Sequence, residues 1–233
     1  MTGPTTGALI DHLVVVAPDL ASGAAWCEAT LGVVPAPGGE HPLMGTHNRL
    51  LRISTADQPR AYLELIAIDP GADARARMPG ARWFDMDCPA LQARVARDGP
   101  QLAHFVASVP NLRVASQALR AQGIDRGEIV NASRMTPRGL LQWQITVRAD
   151  GQRLFDGTLP ALIEWGEVHP TPALPDCGVQ LQSLVVTHPQ AAALRRAYEA
   201  IGLQAVDVRE GAPELCATLI TPRGPVQLSS GGL

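Results

Sequence analysis

The stretch His12-Leu-Val-Val-Val-Ala-Pro18-Asp-Leu20 decides the fold, because its pattern returns further along the chain. It returns as His104-Phe-Val-Ala-Ser-Val-Pro110-Asn-Leu112 and, more loosely, as Ser183-Leu-Val-Val-Thr-His-Pro189. Each copy is a short apolar strand, then a proline near a helix start, then about a dozen residues of helical pattern closed by glycine. Internal similarity of this kind indicates an architecture before any local motif does.

Capping residues support a helix after each copy of this stretch. Asp19 and Asn111 are good N-cap residues, since their side chains accept hydrogen bonds from the first turn. Gly32, Gly123 and Gly202 are able to adopt the left-handed conformation that ends a helix. The sequence therefore predicts one amphipathic helix packed on a sheet in each segment.

Extended segments separated by turn residues follow each predicted helix. They span 49–53 and 61–68, then 140–148 and 161–166, and finally 206–209, 215–221 and 226–229. A strand, a helix and two or three antiparallel strands make one βαβββ module, which needs a second module to bury its sheet face. We therefore predict an α+β fold of repeated βαβββ modules, whose curved mixed sheets form a concave cleft with helices on the outer face.

The repeats also predict how the chain divides. Residues 9–170 are expected to form one domain of two modules, 9–68 and 101–170, with an insertion at 69–100 that contains turn and helix patterns. Residues 178–233 are expected to form a third, degenerate module, which packs on the main domain or on its counterpart in a homodimer.

Composition and charge exclude several classes of function. The 233 residues are 46% hydrophobic and 18% charged, and the net charge of -3 argues against nucleic acid as a partner. No signal peptide and no membrane-spanning apolar run are apparent, so we expect a cytoplasmic protein with no membrane partner. The four cysteines form no CxxC pair, which argues against a zinc knuckle or a redox motif.

Several motifs, taken in order, resemble a known family. They are Asp11-His12-Leu-Val, Pro18-Asp19-Leu20, Gly38-Gly39-Glu40-His41-Pro42, Gly45-Thr46-His47-Asn48, Tyr62-Leu63-Glu64-Leu65-Ile66, Arg82-Trp83-Phe84, Ser133-Arg134, Leu141-Gln-Trp143 and Leu159-Pro160-Ala-Leu-Ile-Glu164-Trp165-Gly166. Over about residues 9 to 170 the chain resembles the glyoxalase-like domain of the vicinal oxygen chelate superfamily. That superfamily includes isomerases, ring-cleaving dioxygenases, thiol transferases and proteins that sequester a ligand, so the resemblance does not specify a reaction.

The resemblance implies a metal site. In metal-using members each module supplies one ligand from its first strand and one from its last, which here implies His12 with Glu64 and His104 with Glu164. Two imidazoles and two carboxylates suit zinc, nickel, cobalt, iron or manganese. By the same analogy, Glu64 or Glu164 is the catalytic base that moves a proton between adjacent carbons.

The pleat of the strands offers an independent check. Residues of like parity share a face, so all four side chains are compatible with one concave surface. A carboxylate in an apolar strand such as Leu63-Glu64-Leu65-Ile66 is costly to bury unless it is paired or binds a metal. Two alternatives stay open: strand histidines bonded to carboxylates without a metal, and glutamates that face solvent.

Further residues are candidates for substrate binding, and the set comprises His47, Asn48, Trp83, Phe84, Arg134 and Trp143. His47 and Asn48 could instead stabilise a loop, and Trp83 and Phe84 could anchor the insertion. Arg134 is a candidate for an anionic substrate group or an ordinary solvated arginine. The leading hypothesis is a divalent-metal-dependent lyase or isomerase acting on a small molecule with vicinal oxygens. The alternatives are a ligand-sequestering protein and an extradiol-type dioxygenase.

Overall fold

The computed structural model describes residues 7–136 and 139–232. Its strands and helices, in chain order, are β1 (Leu9–Val16), α1 (Leu20–Leu31), β2 (Ala36–His41), β3 (Thr46–Arg52), β4 (Tyr62–Ile68), α2 (Pro89–Asp98), β5 (Gln101–Ser108), α3 (Leu112–Arg120), β6 (Glu128–Thr136), β7 (Gly139–Val147), β8 (Ala161–Trp165), β9 (Gln180–Thr187), α4 (Ala191–Ile201), β10 (Val206–Arg209), β11 (Glu214–Thr221) and β12 (Gly224–Ser229). The predicted α+β class is confirmed.

The first two modules share one strand topology and form a single eight-stranded sheet. The strand order is β2-β3-β4-β1-β5-β8-β7-β6. In each module the first strand pairs in parallel with the last, β1 with β4 and β5 with β8, and β1 pairs antiparallel with β5 to join the modules. Side chains from the first and last strands of both modules therefore meet at the middle of the sheet.

The predicted caps are present at the starts of α1 and α3 and at the ends of α1 and α4, whereas α3 ends at Ala121, before the predicted Gly123. The Asp19 carboxylate accepts a hydrogen bond from the Ser22 backbone, and Asn111 does the same for Val114. Gly32 ends α1 in the left-handed conformation, with φ of 77°. Local sequence therefore fixes where α1 and α3 begin and how α1 ends.

The outer face of the sheet carries the larger core. Leu13 and Leu63 point to this face and are fully buried, in one cluster with Leu31 of α1 and Leu112 of α3. The same cluster continues into the second sheet, for example at Leu184. Helices α1, α3 and α4 thus contribute to a common core that both sheets share.

The insertion covers part of the concave face. Met86 and two residues of α2, Leu91 and Val95, form a second apolar cluster with Val106 and Ile163 of the sheet. This packing covers part of the concave surface of the second module. This apolar packing therefore makes the two halves of the cleft different from each other.

The third unit departs from the predicted module. It has the element order β-α-β-β-β, but its four-stranded sheet runs β10-β9-β11-β12. Its first strand, β9, pairs in parallel with β10 and antiparallel with β11, and not with the last strand. The four residues of β10 follow α4 after a short connection and return beside β9. In this unit, the strand that pairs in parallel with the first strand is the one directly after the helix. In the first two modules it is the last strand of the module.

Within residues 7–136 and 139–232, no helix is long and apolar enough to cross a membrane.

Candidate active site

Asp11 and His12, neighbours on β1, both belong to one buried polar cluster. Consecutive side chains of a regular strand point to opposite faces, but the ladder of β1 with β5 shifts register between Ile10 and His12. A bulge of this kind re-aims a side chain and lets adjacent residues meet. The two side chains join through His12 Nδ1 and Asp11 Oδ1, 2.7 Å apart. His12 is 3% exposed and Asp11 is fully buried.

The second oxygen of Asp11 is also engaged. Trp165 Nε1 donates to Asp11 Oδ2 at 2.9 Å, and His169 Nε2 lies 3.3 Å from the same oxygen. Burial by itself would raise the pKa of Asp11, but the hydrogen bonds with His12 and His169 outweigh burial and hold that pKa well below its usual range. Asp11 is therefore ionised, and His12 Nδ1 carries the hydrogen that it donates. The other ring nitrogen, His12 Nε2, is left to face the cleft.

Glu64 faces His12 across this cluster. Its Oε2 lies 3.5 Å from His12 Nε2, and the residue is 4% exposed. Its Oε1 accepts a hydrogen bond of 2.6 Å from Asn48 Nδ2. The amide of Asn48 is itself oriented, because its Oδ1 accepts from the backbone N–H of Gly39 at 2.8 Å. One carboxylate oxygen of Glu64 is thus fixed by Asn48, and the other is directed at an imidazole.

His41 is a further histidine of the cluster, and it was not among the predicted site residues. Its Nε2 lies 4.0 Å from Glu64 Oε1, and its Nδ1 lies 3.1 Å from Thr46 Oγ1. Burial lowers the pKa of His41 to about 4, the charge of Glu64 opposes this shift and the charge of Arg134 reinforces it. The ring packs edge-on against Trp83, with centroids 5.1 Å apart. His41 is therefore a neutral imidazole at neutral pH.

His104 does not join His12 and Glu64, which corrects the predicted ligand set. The His104 ring spans two backbone groups: its Nδ1 lies 2.8 Å from Gly157 O, and its Nε2 accepts from Ala161 N at 3.1 Å. It is fully buried with Phe84 against it, and burial lowers its pKa well below the usual value. Both ring nitrogens are used, so His104 ties the start of β8 to the turn before it.

Glu164 is on the opposite face, which is a second correction. Its Oε2 accepts a 2.7 Å hydrogen bond from the backbone N–H of Leu112, at the start of α3. Its strand neighbours Ile163 and Trp165 are the residues that line the cleft. Alternation along β8 places Glu164 on the same face as Leu162, and Leu162 belongs to the core beneath the helices. Glu164 therefore caps a helix and is remote from the His12 side of the sheet.

The predicted substrate-binding residues divide into two groups. Those that line one inner cavity with His12 and Glu64 are Asn48, Trp83, Phe84, Arg134 and Trp143. His47 is not among its lining residues, since alternation along β3 turns it away from Asn48. Its Nδ1 instead lies 3.9 Å from Asp69 Oδ1.

The cleft has an inner and an outer part. The inner cavity, beside His12 and Glu64, has a volume of about 30 Å³, room for about one water molecule. The outer cavity has a volume of about 660 Å³, within the range of small-molecule sites. The two share the lining residues Leu50, Arg134, Leu141 and Pro170, so they adjoin. A ligand held in the outer cavity would present one end to the inner residues.

The side chains do not fit the predicted four-ligand metal site. His104 has no free nitrogen, and Glu164 is bonded to a helix on the other face. In the part of the chain that the structure describes, no group of three or more histidine, cysteine, aspartate or glutamate side chains is arranged to hold a metal ion.

Comparisons with known proteins agree with this fold. A family model described as a glyoxalase-like domain matches residues 10–202. A hypothetical protein from Staphylococcus aureus aligns with a TM-score of 0.55 and 14% identity, over 95% of this chain and 85% of that protein. A methylmalonyl-CoA epimerase from Mycobacterium tuberculosis aligns with a TM-score of 0.41 and 15% identity, over 74% of this chain and 97% of that enzyme. No curated protein matches the sequence. At these identities the likeness to solved structures concerns the fold alone.

Proposed function

This chain belongs to the glyoxalase-like domain family, and on that premise we propose that it is an isomerase or lyase that moves protons on a small molecule, with His12 and Glu64 as the exchanging groups. The proposal depends on one observation: two proton-accepting atoms, His12 Nε2 and Glu64 Oε2, face each other 3.5 Å apart in a buried cleft. A pair of groups so placed is able to remove a proton from one atom of a substrate and return one to its neighbour.

Asp11 prepares His12 for this role. Because Asp11 is ionised and accepts from His12 Nδ1, the ring is held in one tautomer with Nε2 toward Glu64. A proton taken up at Nε2 creates an imidazolium between two carboxylates, which stabilise its charge. Asp11 therefore acts as a positioning residue, since it acts through His12.

Asn48 has the corresponding role for Glu64. Its amide donates to Glu64 Oε1, so the carboxylate plane is fixed and Oε2 is the oxygen that exchanges a proton. The adjacent aromatic rings of Trp83 and Trp143 line the same inner cavity. These rings limit water near the reacting groups, which strengthens the electrostatic interactions within the cavity.

In the proposed reaction, each proton that Glu64 or His12 accepts is given back to the substrate. Glu64 takes the proton of an acidic C–H beside a carbonyl group, which leaves an enediolate. His12 Nε2 then accepts the proton of the neighbouring hydroxyl group and gives it to the oxygen of the former carbonyl group, and Glu64 returns its proton to the carbon that carried that carbonyl group. Substrates with oxygens on adjacent carbons suit this shift. No step requires His104 or Glu164.

Solvent exchange is the direct test, because it detects proton removal even when no product accumulates. Hydroxyacetone, glyceraldehyde, mandelate and the methylglyoxal–glutathione hemithioacetal are each incubated with the protein in D₂O, and loss of the C–H signal is followed by NMR. We expect catalysed exchange that falls by about 10²- to 10⁴-fold in His12→Gln and in Glu64→Gln. Glu28→Gln, on the exposed side of α1, is the matched control. Exchange that survives in both site variants would disprove the assignment.

A second candidate function is sequestration of a ligand without turnover. The observation that favours it is the difference in size between the two cavities, about 660 Å³ outside and about 30 Å³ at the polar cluster. A ligand could fill the outer part and leave the inner residues untouched. If one of the four compounds used in the exchange test binds, as measured by tryptophan fluorescence, and shows no exchange in D₂O, sequestration is favoured over catalysis.

A further inference from the structure

Arg134 is a half-buried cation, and one of its nitrogens is buried with no partner among the described residues. It lies on β6 and lines both the inner and the outer cavity. Its Nη1 is buried and donates to no other atom of residues 7–136 and 139–232. Every arginine ion pair described for these residues involves a different arginine. A buried N–H group left unpaired costs free energy, so its presence points to a missing acceptor.

The opposite wall of the cavity is shaped to admit this guanidinium. A Cβ added at Gly39, on β2, would lie 2.0 Å from Arg134 Nη1. Glycine at this position therefore lets the guanidinium approach the β2 backbone. Arg134 is thus held at the junction of the two cavities by packing, and no acidic side chain of the described residues forms an ion pair with it.

The rest of the outer cavity is suited to an apolar body. Leu50, Leu141, Pro170 and Leu174 line it. Glu40 also contributes, but it is exposed to solvent and forms no ion pair with a described residue. Among the described residues, the cavity therefore offers Arg134 as a cation at its inner end and mainly hydrocarbon along its walls.

We propose that the outer cavity binds a small organic carboxylate, whose carboxylate group pairs with Arg134 and whose apolar body lies against Leu50, Leu141 and Leu174. This inference deepens the proposed function and rests on it, because it names the substrate class of the same site. A planar carboxylate matches the guanidinium fork, and its negative charge matches the positive charge of Arg134. The carbon next to the carboxylate then lies at the entrance to the inner cavity, where Glu64 and His12 face each other.

Binding is tested with three matched pairs of probes: acetate and acetamide, phenylacetate and phenylacetamide, and mandelate and mandelamide. Each amide keeps the shape of its acid and removes the charge. Affinity is measured by tryptophan fluorescence and by ¹H–¹⁵N spectra of the full chain. We expect the two aromatic acids to bind about tenfold or more tightly than their amides, and Arg134→Gln to abolish this preference. Arg134→Lys is expected to keep part of it, because it keeps the charge and loses the fork.

Two further measurements separate this inference from the alternatives. Arg196→Gln, which removes an exposed charge from α4, is expected to leave every affinity unchanged. The thermal midpoint of Arg134→Gln is expected to match or exceed that of the wild type, since no hydrogen bond to a described residue is lost, whereas a structural arginine would lower it.

The outcome for Glu64→Gln distinguishes this inference from the proposed function. Carboxylate binding that persists in Glu64→Gln while D₂O exchange is lost supports both. Binding without exchange in the wild type supports the carboxylate site and contradicts the catalytic proposal. Equal affinity for acid and amide, no binding of any acid, or tighter binding of phenyl phosphate than of phenylacetate would overturn the carboxylate assignment.

Discussion

Ala161 occupies, in the second half of the eight-stranded sheet, the position that Glu64 occupies in the first. Glu64 pairs with Val14 in the β1–β4 ladder, and Ala161 pairs with Val106 in the β5–β8 ladder. Val14 and Val106 are themselves equivalent in the sequence repeat. The two modules therefore share a backbone plan but differ in chemistry, with a carboxylate in one and a methyl group in the other. The facing pair His12 and Glu64 therefore comes from the first module alone.

Glu164 provides a prediction about stability rather than catalysis. Glu164→Ala removes the acceptor for the Leu112 N–H at the start of α3, so the free energy of unfolding should fall by about 1 kcal/mol. Glu164→Gln should lose less, because its amide oxygen still accepts. Urea denaturation measures both. D₂O exchange and metal content should equal those of the wild type in both variants. A fall in either would indicate that Glu164 contributes to the candidate active site.

His104 provides the second prediction. His104→Ala leaves Gly157 O and Ala161 N without a partner in a fully buried place, so unfolding free energy should fall by about 3 kcal/mol or more. His47→Ala, a partly exposed histidine, should cost far less. Both are measured by urea denaturation.

A separate measurement addresses the predicted metal ligand. Elemental analysis of protein prepared without a nickel column should give the same metal content for the wild type and for a folded His104→Gln variant. Loss of a stoichiometric metal in that variant alone would contradict the structural role.

Local sequence predicted most of the secondary structure and missed the edges of the main sheet. The capped helices after Asp19 and Asn111 are where short-range patterns place them. Strand β2, with the sequence Ala-Pro-Gly-Gly-Glu-His, contains residues that disfavour strands. It lies at a sheet edge, where proline and glycine are tolerated because one side of the strand is unpaired.

The sequence indicated some residues of the buried polar cluster and not others, and the reason is physical. Glu64 stood out because a carboxylate in an apolar strand needs a partner, and Asn48 was found through its motif. Asp11 was missed because alternation assigns it to the face opposite His12, and only the bulge beside β5 removes that conflict. Parity also groups residues by face without saying which face is concave. For this reason Glu164 was predicted to lie on the concave face, although it lies on the face covered by the helices.

Asp11 is predicted to affect catalysis through the orientation of His12. Asp11→Asn keeps the volume but no longer fixes the hydrogen on His12 Nδ1, so kcat for D₂O exchange should fall by about 10²-fold or more with KM little changed. Trp165→Phe, which removes one donor to Asp11 Oδ2, is the milder comparison. A rise in KM with unchanged kcat would show that Asp11 only shapes the pocket.

The same substitution has a stability signature. The folded pKa of Asp11 is lowered from the usual 3.8, so its stabilising contribution is fully present above that value and is lost as the pH falls through the lower folded value. Asp11→Asn should therefore be less stable than the wild type at neutral pH, with the difference shrinking in acid. Unfolding free energies of the two proteins measured from about pH 7 to about pH 3 test this.

His41 gives a prediction in a different pH window. In the unfolded chain His41 binds its proton near pH 6.5, whereas burial lowers its folded pKa to about 4. Between these values the unfolded chain binds more protons, so stability falls as the pH falls, by about 1.4 kcal/mol per pH unit and by about 3 kcal/mol at most. His41→Gln should remove this part of the pH dependence.

Urea denaturation of the wild type and His41→Gln at about pH 7 and about pH 4.5 gives the required difference. Subtracting the two proteins cancels the contribution of His104, whose pKa is lowered in the same direction. His47→Gln is the control, because its side chain is 25% exposed. Identical pH slopes for wild type and His41→Gln would mean that His41 titrates normally in the folded protein. The site would then contain a second titrating imidazole beside Glu64, and the proton exchange proposed for His12 would have to be assigned again between the two rings.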